Sequence, residues 1–207
     1  MKLLHAVAAG IVPPLCAACG RNCRPEAAIC TRCSRRLATA TPLTGQGPPG
    51  IDRVWSSASH EGVARDLVTA LKFRRLLPVA DLMADRIHWL APADLLSGAI
   101  VPVPTAPLRV LARGFDAAGE LAAALSERLD LPLEPCLARK GGGRQVGKRR
   151  AQRIGHPPHI HARGDSPRSV LLIDDVLTTG ATLSACARVL REAGAVRVVA
   201  ITFARRL

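Results

Sequence analysis

The chain is 207 residues long, 48% hydrophobic and carries a formal net charge of +13. That is enough for one medium α/β domain with a small appendage and a packed core, and it excludes wholesale disorder. Aromatic residues make up only 2%, which argues against nucleic-acid modules that stack bases on exposed rings, while the positive balance suits a phosphate-rich ligand or a nucleic acid, or reflects a plain arginine-rich surface from a high-GC coding style.

The N-terminus, MKLLHAVAAGIVPPLC, places a lysine before an apolar run in the manner of a secretory signal. His5 and Pro13-Pro14 interrupt that run, and Pro14-Leu15-Cys16 lacks the small residues of a cleavage site. Residues 2–11 are therefore read as a short helix packing on the body. No window reaches the apolar length of a membrane-spanning helix. The expectation is a cytoplasmic protein without membrane insertion.

Five of the seven cysteines lie between Cys16 and Cys33. Cys16-Ala-Ala-Cys19 and Cys30-Thr-Arg-Cys33 are two CxxC pairs with ten residues between them. Each pair fits a tight turn presenting two sulfurs, and two such turns make a four-cysteine zinc site. All four positions are filled by protein, so the zinc expected here is structural, with no place for a reactive water. Gly20 suits the sharp turn after Cys19. A disulfide framework needs an oxidising compartment, and a thioredoxin-like motif needs only one CxxC. Cys23 is spare, or substitutes as a ligand. Cys136 and Cys186 are isolated, and Cys186 reads as a small core residue.

Residues 1–38 thus form a zinc-binding module. Residues 39–50, TATPLTGQGPPG, read as a linker, and residues 51–207 as one α/β domain. Arg53–Ser59 is a candidate strand and Val63–Phe73 an amphipathic helix with Lys72 in its last turn. Pro78–Leu90 is a second helix, with proline suited to its first turn. Ala99–Val103 is a strand, followed by a loop to about Phe115 and an alanine-rich helix over Ala117–Leu129. Arg139–Arg153 holds seven basic residues in fifteen and no acid, and the GGG run at 141–143 makes it a flexible loop. His156, His159 and His161 show no ligand spacing and read as exposed loop histidines.

Val170–Ile173 is an apolar run that reads as a fully buried strand. Asp174 and Asp175 follow at its carboxyl end, where open parallel sheets place their ligands. Leu177–Thr182 then leads into a helix whose apolar face carries Leu183, Ala187 and Leu190. Adjacent residues of a continuing strand point to opposite faces, so the chain is expected to leave strand geometry at the two aspartates. Gly194 stops the helix, and a last strand covers Val196–Phe203. Strands alternating with helices indicate a mostly parallel sheet. Strand, acids, small-residue loop and helix N-terminus suit a phosphorylated sugar. A Walker-type ATPase would need GxxxxGK[ST], and the sequence has none.

Val170–Thr182 resembles the phosphoribosyl-pyrophosphate (PRPP) signature of type I phosphoribosyltransferases. With the paired CxxC motifs, nearly the whole chain resembles the ComF family, which is linked to DNA uptake in competent bacteria. Leu71-Lys72-Phe73 matches a motif of that family, as do Val101-Pro102-Val103-Pro104, Arg113-Gly114-Phe115, and Gln145 with Arg153. Where the family usually follows RGF with Asn-Gln, this chain has Asp116-Ala117, and it lacks the usual Asn near His156.

The resemblance implies an α/β, type I phosphoribosyltransferase fold that binds PRPP and Mg²⁺. It implies that the backbone at Thr178, Thr179, Gly180, Ala181 and Thr182 cradles the 5′-phosphate, Gly180 allowing close approach. Asp174 and Asp175 would engage the ribose hydroxyls, directly or alongside Mg²⁺. Arg109 and Arg113 would belong to the pyrophosphate loop, with Arg113, Asp174 and Asp175 as the catalytic set. Lys72 either joins this site or is a solvated lysine favourable to the helix dipole. The basic loop would close over substrate or contact single-stranded DNA. Two classes of function follow: phosphoribosyl transfer to an unknown acceptor, or a PRPP-sensing or scaffold module whose zinc region docks a partner such as the competence helicase.

Overall fold

The computed structural model describes residues 14–140 and 158–207. The expected helix at 2–11 and most of the basic loop, including Gln145, Arg149, Arg150, Arg153 and His156, lie outside the described residues. After the cysteine-bearing turns come helix α1 (Thr31–Ala38), strands β1 (Leu43–Gly45) and β2 (Arg53–Ser59), and helices α2 (Gly62–Arg74) and α3 (Pro78–Leu90). A 3₁₀ turn at Ala93–Leu95 leads to β3 (Ala99–Pro102), α4 (Pro107–Arg113) and α5 (Ala117–Leu129). The short strands β4 (Leu137–Arg139) and β5 (Ile160–Ala162) precede β6 (Ser169–Leu177), α6 (Ala181–Glu192) and β7 (Arg197–Arg205).

Five strands form one sheet in the order β1-β2-β7-β6-β3, all parallel except β1, which runs antiparallel to β2 along the edge. β4 and β5 pair separately as an antiparallel couple. The mixed α/β architecture with a mostly parallel sheet is the one expected.

Val170 to Ile173 is fully buried because each face of the sheet is covered. On one side Leu67, Leu71, Met83, Ile87, Leu121 and Leu125 of α2, α3 and α5 meet Trp55, Leu171, Ile173, Ile201 and Phe203. On the other, Leu183, Cys186 and Leu190 of α6 meet Val170, Leu172, Val198 and Ala200. Each such aliphatic side chain contributes about 1.5–3 kcal/mol on burial. The first layer continues into the cysteine region, since Cys16, Ile29, Cys33 and Leu37 belong to it. Arg74 on α2 also donates a hydrogen bond to the Ala17 carbonyl.

The expected strand at Arg53–Ser59 and helices at Pro78–Leu90 and Ala117–Leu129 stand at the boundaries read from sequence. Several short elements were not expected. Within the stretch read as a linker, Leu43–Gly45 adds an edge strand. In the expected loop before Phe115, Pro107–Arg113 is helical, although it buries none of its residues and so shows no apolar period. The segments flanking the basic loop pair as β4 and β5.

The expectation that the chain leaves strand geometry at Asp174-Asp175 is corrected: β6 runs on to Leu177. The two carboxylates are accommodated by an irregularity inside the strand. Pairing to β7 joins Asp174 to Thr202 and Val176 to Ala204, with Asp175 left out of register, and β2 shows the same skip between Ser56 and Ala58. The Asp175 N–H donates to Asp174 Oδ1 at 2.8 Å. Alternation slips by one residue here, so that Val176 packs with the layer of Leu171 and Ile173. No described helix is long and apolar enough to cross a membrane.

Candidate functional site

Two clusters of chemically active side chains stand out. In the first, the sulfurs of Cys16, Cys19, Cys30 and Cys33 all lie within 4.8 Å of one another. Cys19 and Cys30 Sγ are 3.7 Å apart. Four sulfurs at about 2.3 Å from a tetrahedral ion stand roughly 3.8 Å from each other. The set fits zinc in number, softness and spacing. The first turn is closed by the Gly20 N–H on the Cys16 carbonyl at 2.9 Å, with Gly20 at φ +71. The second is the start of α1, with Cys30 just before the helix and Cys33 in its first turn. Burial pushes the Cys16 thiol up, but backbone N–H groups at Cys19 and Cys30 outweigh it and bring it down to about 6. The Cys33 backbone N–H lowers Cys30 in the same way, whereas burial raises Cys33. Cys23 is outside the set: its sulfur faces the Ala27 and Pro14 carbonyls at 3.3 and 3.5 Å.

The second cluster lies at the carboxyl ends of β2, β3 and β6, around a cavity of about 400 Å³. Asp175 is buried there, and Lys72 Nζ stands 2.6 Å from its Oδ1. Lys72 is thus turned into the cavity rather than left in solvent at a helix end. Asp174 lines the same cavity and remains partly exposed. Burial, and then the neighbouring Asp175 charge, push its carboxyl well above the usual carboxylate range, with Lys72 opposing. Arg109 and Arg113, presented by α4, close the far wall. The Arg113 guanidinium lies 4.9 Å over the ring of Phe73, a cation–π contact. The Thr105 hydroxyl donates to Asp116 Oδ1 at 2.7 Å. Asp116, where the ComF pattern usually has Asn, therefore ties down the turn between β3 and α4.

Thr178 and Thr182 reach this cavity. With Asp174, the run Thr178–Thr182 also lines an adjoining notch of about 30 Å³ at the start of α6. The first-turn N–H groups of a helix have no intrahelical acceptor and favour an anion. Thr179 Oγ1 already accepts the Ala181 N–H at 3.4 Å. Gly180 has φ +77, and a Cβ there would lie 2.9 Å from Pro48 Cβ. A glycine here thus serves a left-handed backbone and the approach of Pro48, a demand the sequence did not reveal.

All the expected PRPP-site residues except Thr179, Gly180 and Ala181 line the larger cavity, and those three line the adjoining notch. His60, Thr69 and Arg139 line the cavity as well; no expectation fell on His60 or Thr69, whereas Arg139 opens the basic loop expected to close over substrate or contact DNA. His60 Nδ1 is buried without a hydrogen-bond partner among the described residues. Burial and then the Lys72 charge lower its pKa. Its place at the carboxyl end of a parallel strand was the available signal. His159 and His161 are exposed as expected, although His161 belongs to β5 rather than to a loop. A wider groove of about 950 Å³ runs between the cysteine loops and α3. Two of its acids, Asp81 and Asp85, are held by Arg128 at 3.2 and 2.6 Å.

Competence protein F of Haemophilus influenzae is 30% identical over 198 residues, covering 87% of this chain and 80% of that protein. The chain belongs to the ComF family. The ComF-family chain is also 36% identical to competence protein ComFC of Streptococcus pneumoniae over 108 residues, covering 51% of this chain and 47% of the relative. It thus spans about half of that relative's length. Orotate phosphoribosyltransferase of Bacillus caldolyticus is 31% identical over 144 residues, 68% of this chain and 56% of the enzyme. The phosphoribosyl transferase domain family matches residues 110–207. That span contains Arg113, β6, the loop and α6, and leaves out Lys72, Arg109 and the cluster Cys16, Cys19, Cys30 and Cys33.

Proposed function

We propose that this ComF-family protein binds PRPP with Mg²⁺ in the 400 Å³ cavity and transfers its phosphoribosyl group to an acceptor, releasing pyrophosphate, in the cytoplasm and in the setting of DNA uptake. One observation carries the reading. Lys72, Arg109, Arg113, Asp174, Asp175, Thr178 and Thr182 come from separate elements and meet around one cavity, in an arrangement that suits a sugar flanked by two phosphate groups. The likeness to an orotate phosphoribosyltransferase supports the same chemistry.

In this reading the loop N–H groups and threonine hydroxyls hold the 5′-phosphate. Asp174 and Asp175 accept hydrogen bonds from the ribose hydroxyls. Lys72, 2.6 Å from Asp175 Oδ1, holds that side chain in place before any ligand arrives. The acceptor forms its bond to C1 as the C1–oxygen bond breaks and pyrophosphate leaves with the electron pair. C1 gains positive charge, which the two carboxylates stabilise, while Arg109 and Arg113 stabilise the departing pyrophosphate. The oxygen donors of the aspartates suit Mg²⁺, which when bound would neutralise charge on the pyrophosphate. Zinc on Cys16, Cys19, Cys30 and Cys33 would be structural.

The test is Mg²⁺-dependent pyrophosphate release from PRPP with a panel of amine and heterocyclic acceptors. Release with one acceptor, lost in Asp174→Asn, is the expected result. Tight PRPP binding with no release for any acceptor would favour the second reading, a PRPP-sensing or scaffold protein that contacts single-stranded DNA and a competence helicase. The net charge of +13 favours a DNA contact. Replacing Arg149, Arg150 and Arg153 by alanine should then flatten the salt dependence of single-strand binding.

A further inference from the structure

Gly180 is buried at φ +77, and a Cβ built on it would stand 2.9 Å from Pro48 Cβ and 3.0 Å from Pro48 Cγ. Pro48 therefore occupies the space that any other residue at position 180 would need. Gln46, Gly47 and Pro48 face Leu177, Thr178, Thr179, Gly180 and Arg205 across a cavity of about 220 Å³. Asp174 does not line that cavity, so the contact is made from behind the notch. Pro48 comes from a segment fixed at both ends. Upstream, Leu43–Gly45 is paired to β2. Downstream, the Ile51 N–H donates to the Pro48 carbonyl at 3.0 Å, closing a turn. Gly50 packs on α6, where a Cβ would lie 3.0 Å from Ala187 Cβ. Asp52 ties the segment to both flanking elements, taking Arg191 of α6 at 2.6 Å and the Val198 N–H of β7 at 2.8 Å.

We infer that Pro48 is a positioning residue for the loop Thr178–Thr182: it fills the place of the missing Gly180 side chain and braces the loop in its anion-binding shape. The inference rests on reading that loop as the 5′-phosphate cradle. A loop held in its bound shape before the ligand arrives is spared the entropic cost of ordering on binding. The nearest touching atom is the Cβ, which is fixed to the backbone and cannot swing away as the end of a long side chain could. The segment between β1 and β2 then shapes the binding site without touching the ligand.

The experiment is a Mg²⁺-PRPP titration by calorimetry on the full chain, with amide hydrogen exchange at residues 179–182 measured in parallel. Pro48→Gly removes the touching Cβ and Pro48→Ala keeps it. Expected are an affinity for Pro48→Ala within about twofold of wild type and a loss of about threefold or more for Pro48→Gly, with faster loop exchange in the glycine variant only. Gly180→Ala should lose about fivefold or more through the left-handed backbone and the clash together. In the Pro48→Gly background the same change should cost less, because the clash is gone and only the backbone term remains. Equal affinities for Pro48→Gly and Pro48→Ala, or penalties that simply multiply in the double variant, would overturn the inference. If wild type fails to bind Mg²⁺-PRPP, the reading of the cavity falls, and exchange alone decides the brace: faster in Pro48→Gly than in Pro48→Ala supports it, equal rates refute it.

Discussion

The cysteine centre and the β6–α6 cavity are assembled in opposite ways. The four sulfurs come from one short run, Cys16 to Cys33, and two local turns bring them within 4.8 Å. The cavity draws on β2, α2, α4, β4, β6 and the loop after it, so its geometry exists only once the whole sheet has formed. Their electrostatics differ too. Backbone N–H groups lower Cys16 and Cys30, preparing thiolates for a cation. Burial instead raises Asp174, a charge that the fold alone leaves under-compensated. The first region is built to be stabilised by an ion. The second is held together by the core and carries the cost of a carboxyl whose charge burial disfavours.

That contrast can be broken most forcefully at the cysteines. Structural zinc contributes roughly 10–16 kcal/mol in comparable peptides. Chelation should therefore abolish exchange protection through α1, and loosen the layer that Cys33 and Leu37 share with Trp55. Protection that survives chelation would mean the turns hold without metal. Next in size is Lys72→Met. It strands the Asp175 carboxylate, whose side chain is only 5% exposed beside a lysine 23% exposed, and removing one partner of a buried pair costs about 3 kcal/mol. A denaturant midpoint should fall, and adding Asp175→Asn should restore much of it.

A smaller and opposite effect belongs to Asp174. Its folded pKa is raised, so the native state binds more protons than the unfolded one between the ordinary carboxylate value and the raised one. Stability contributed by this group is present in acid and falls as pH rises through that window. Asp174→Asn keeps an acceptor for the Asp175 N–H, so it should be more stable than wild type at neutral pH. The difference should vanish below the ordinary carboxylate pKa, as denaturation at both pH values would reveal. The smallest effect is at Phe73, an exposed ring beneath Arg113. A cation–π contact of this kind is worth about 0.5–1 kcal/mol, so Phe73→Leu should weaken PRPP binding only a few-fold and leave the unfolding midpoint unchanged.

What could be read from sequence follows the same division. The CxxC spacing, and the helices at Pro78–Leu90 and Ala117–Leu129, were legible because a few neighbouring residues determine them. The two aspartates and the threonine-rich loop were legible as a resemblance to a known signature. The slip at Asp175 was not, because it is shared by three strands and depends on Phe203 and Ser57 at the same level of the sheet. Helix α4 was hidden because it buries nothing. The second demand for a glycine at position 180 was not legible, because Pro48, far away in sequence, supplies the contact. His60 is a site-lining residue whose neighbours in sequence carry no motif.

The most direct test of the central claim, that the cavity is a PRPP site, is a calorimetric titration of Mg²⁺-PRPP into wild type and Asp174→Asn at neutral pH. A hydrogen bond to a charged group is worth about 1.5–3 kcal/mol, and about 1.4 kcal/mol is a factor of ten. Wild type should bind with one site per chain, and the variant at least about tenfold more weakly despite its higher stability. Equal affinity in the two proteins, or no heat of binding in wild type with Mg²⁺ present, would contradict it.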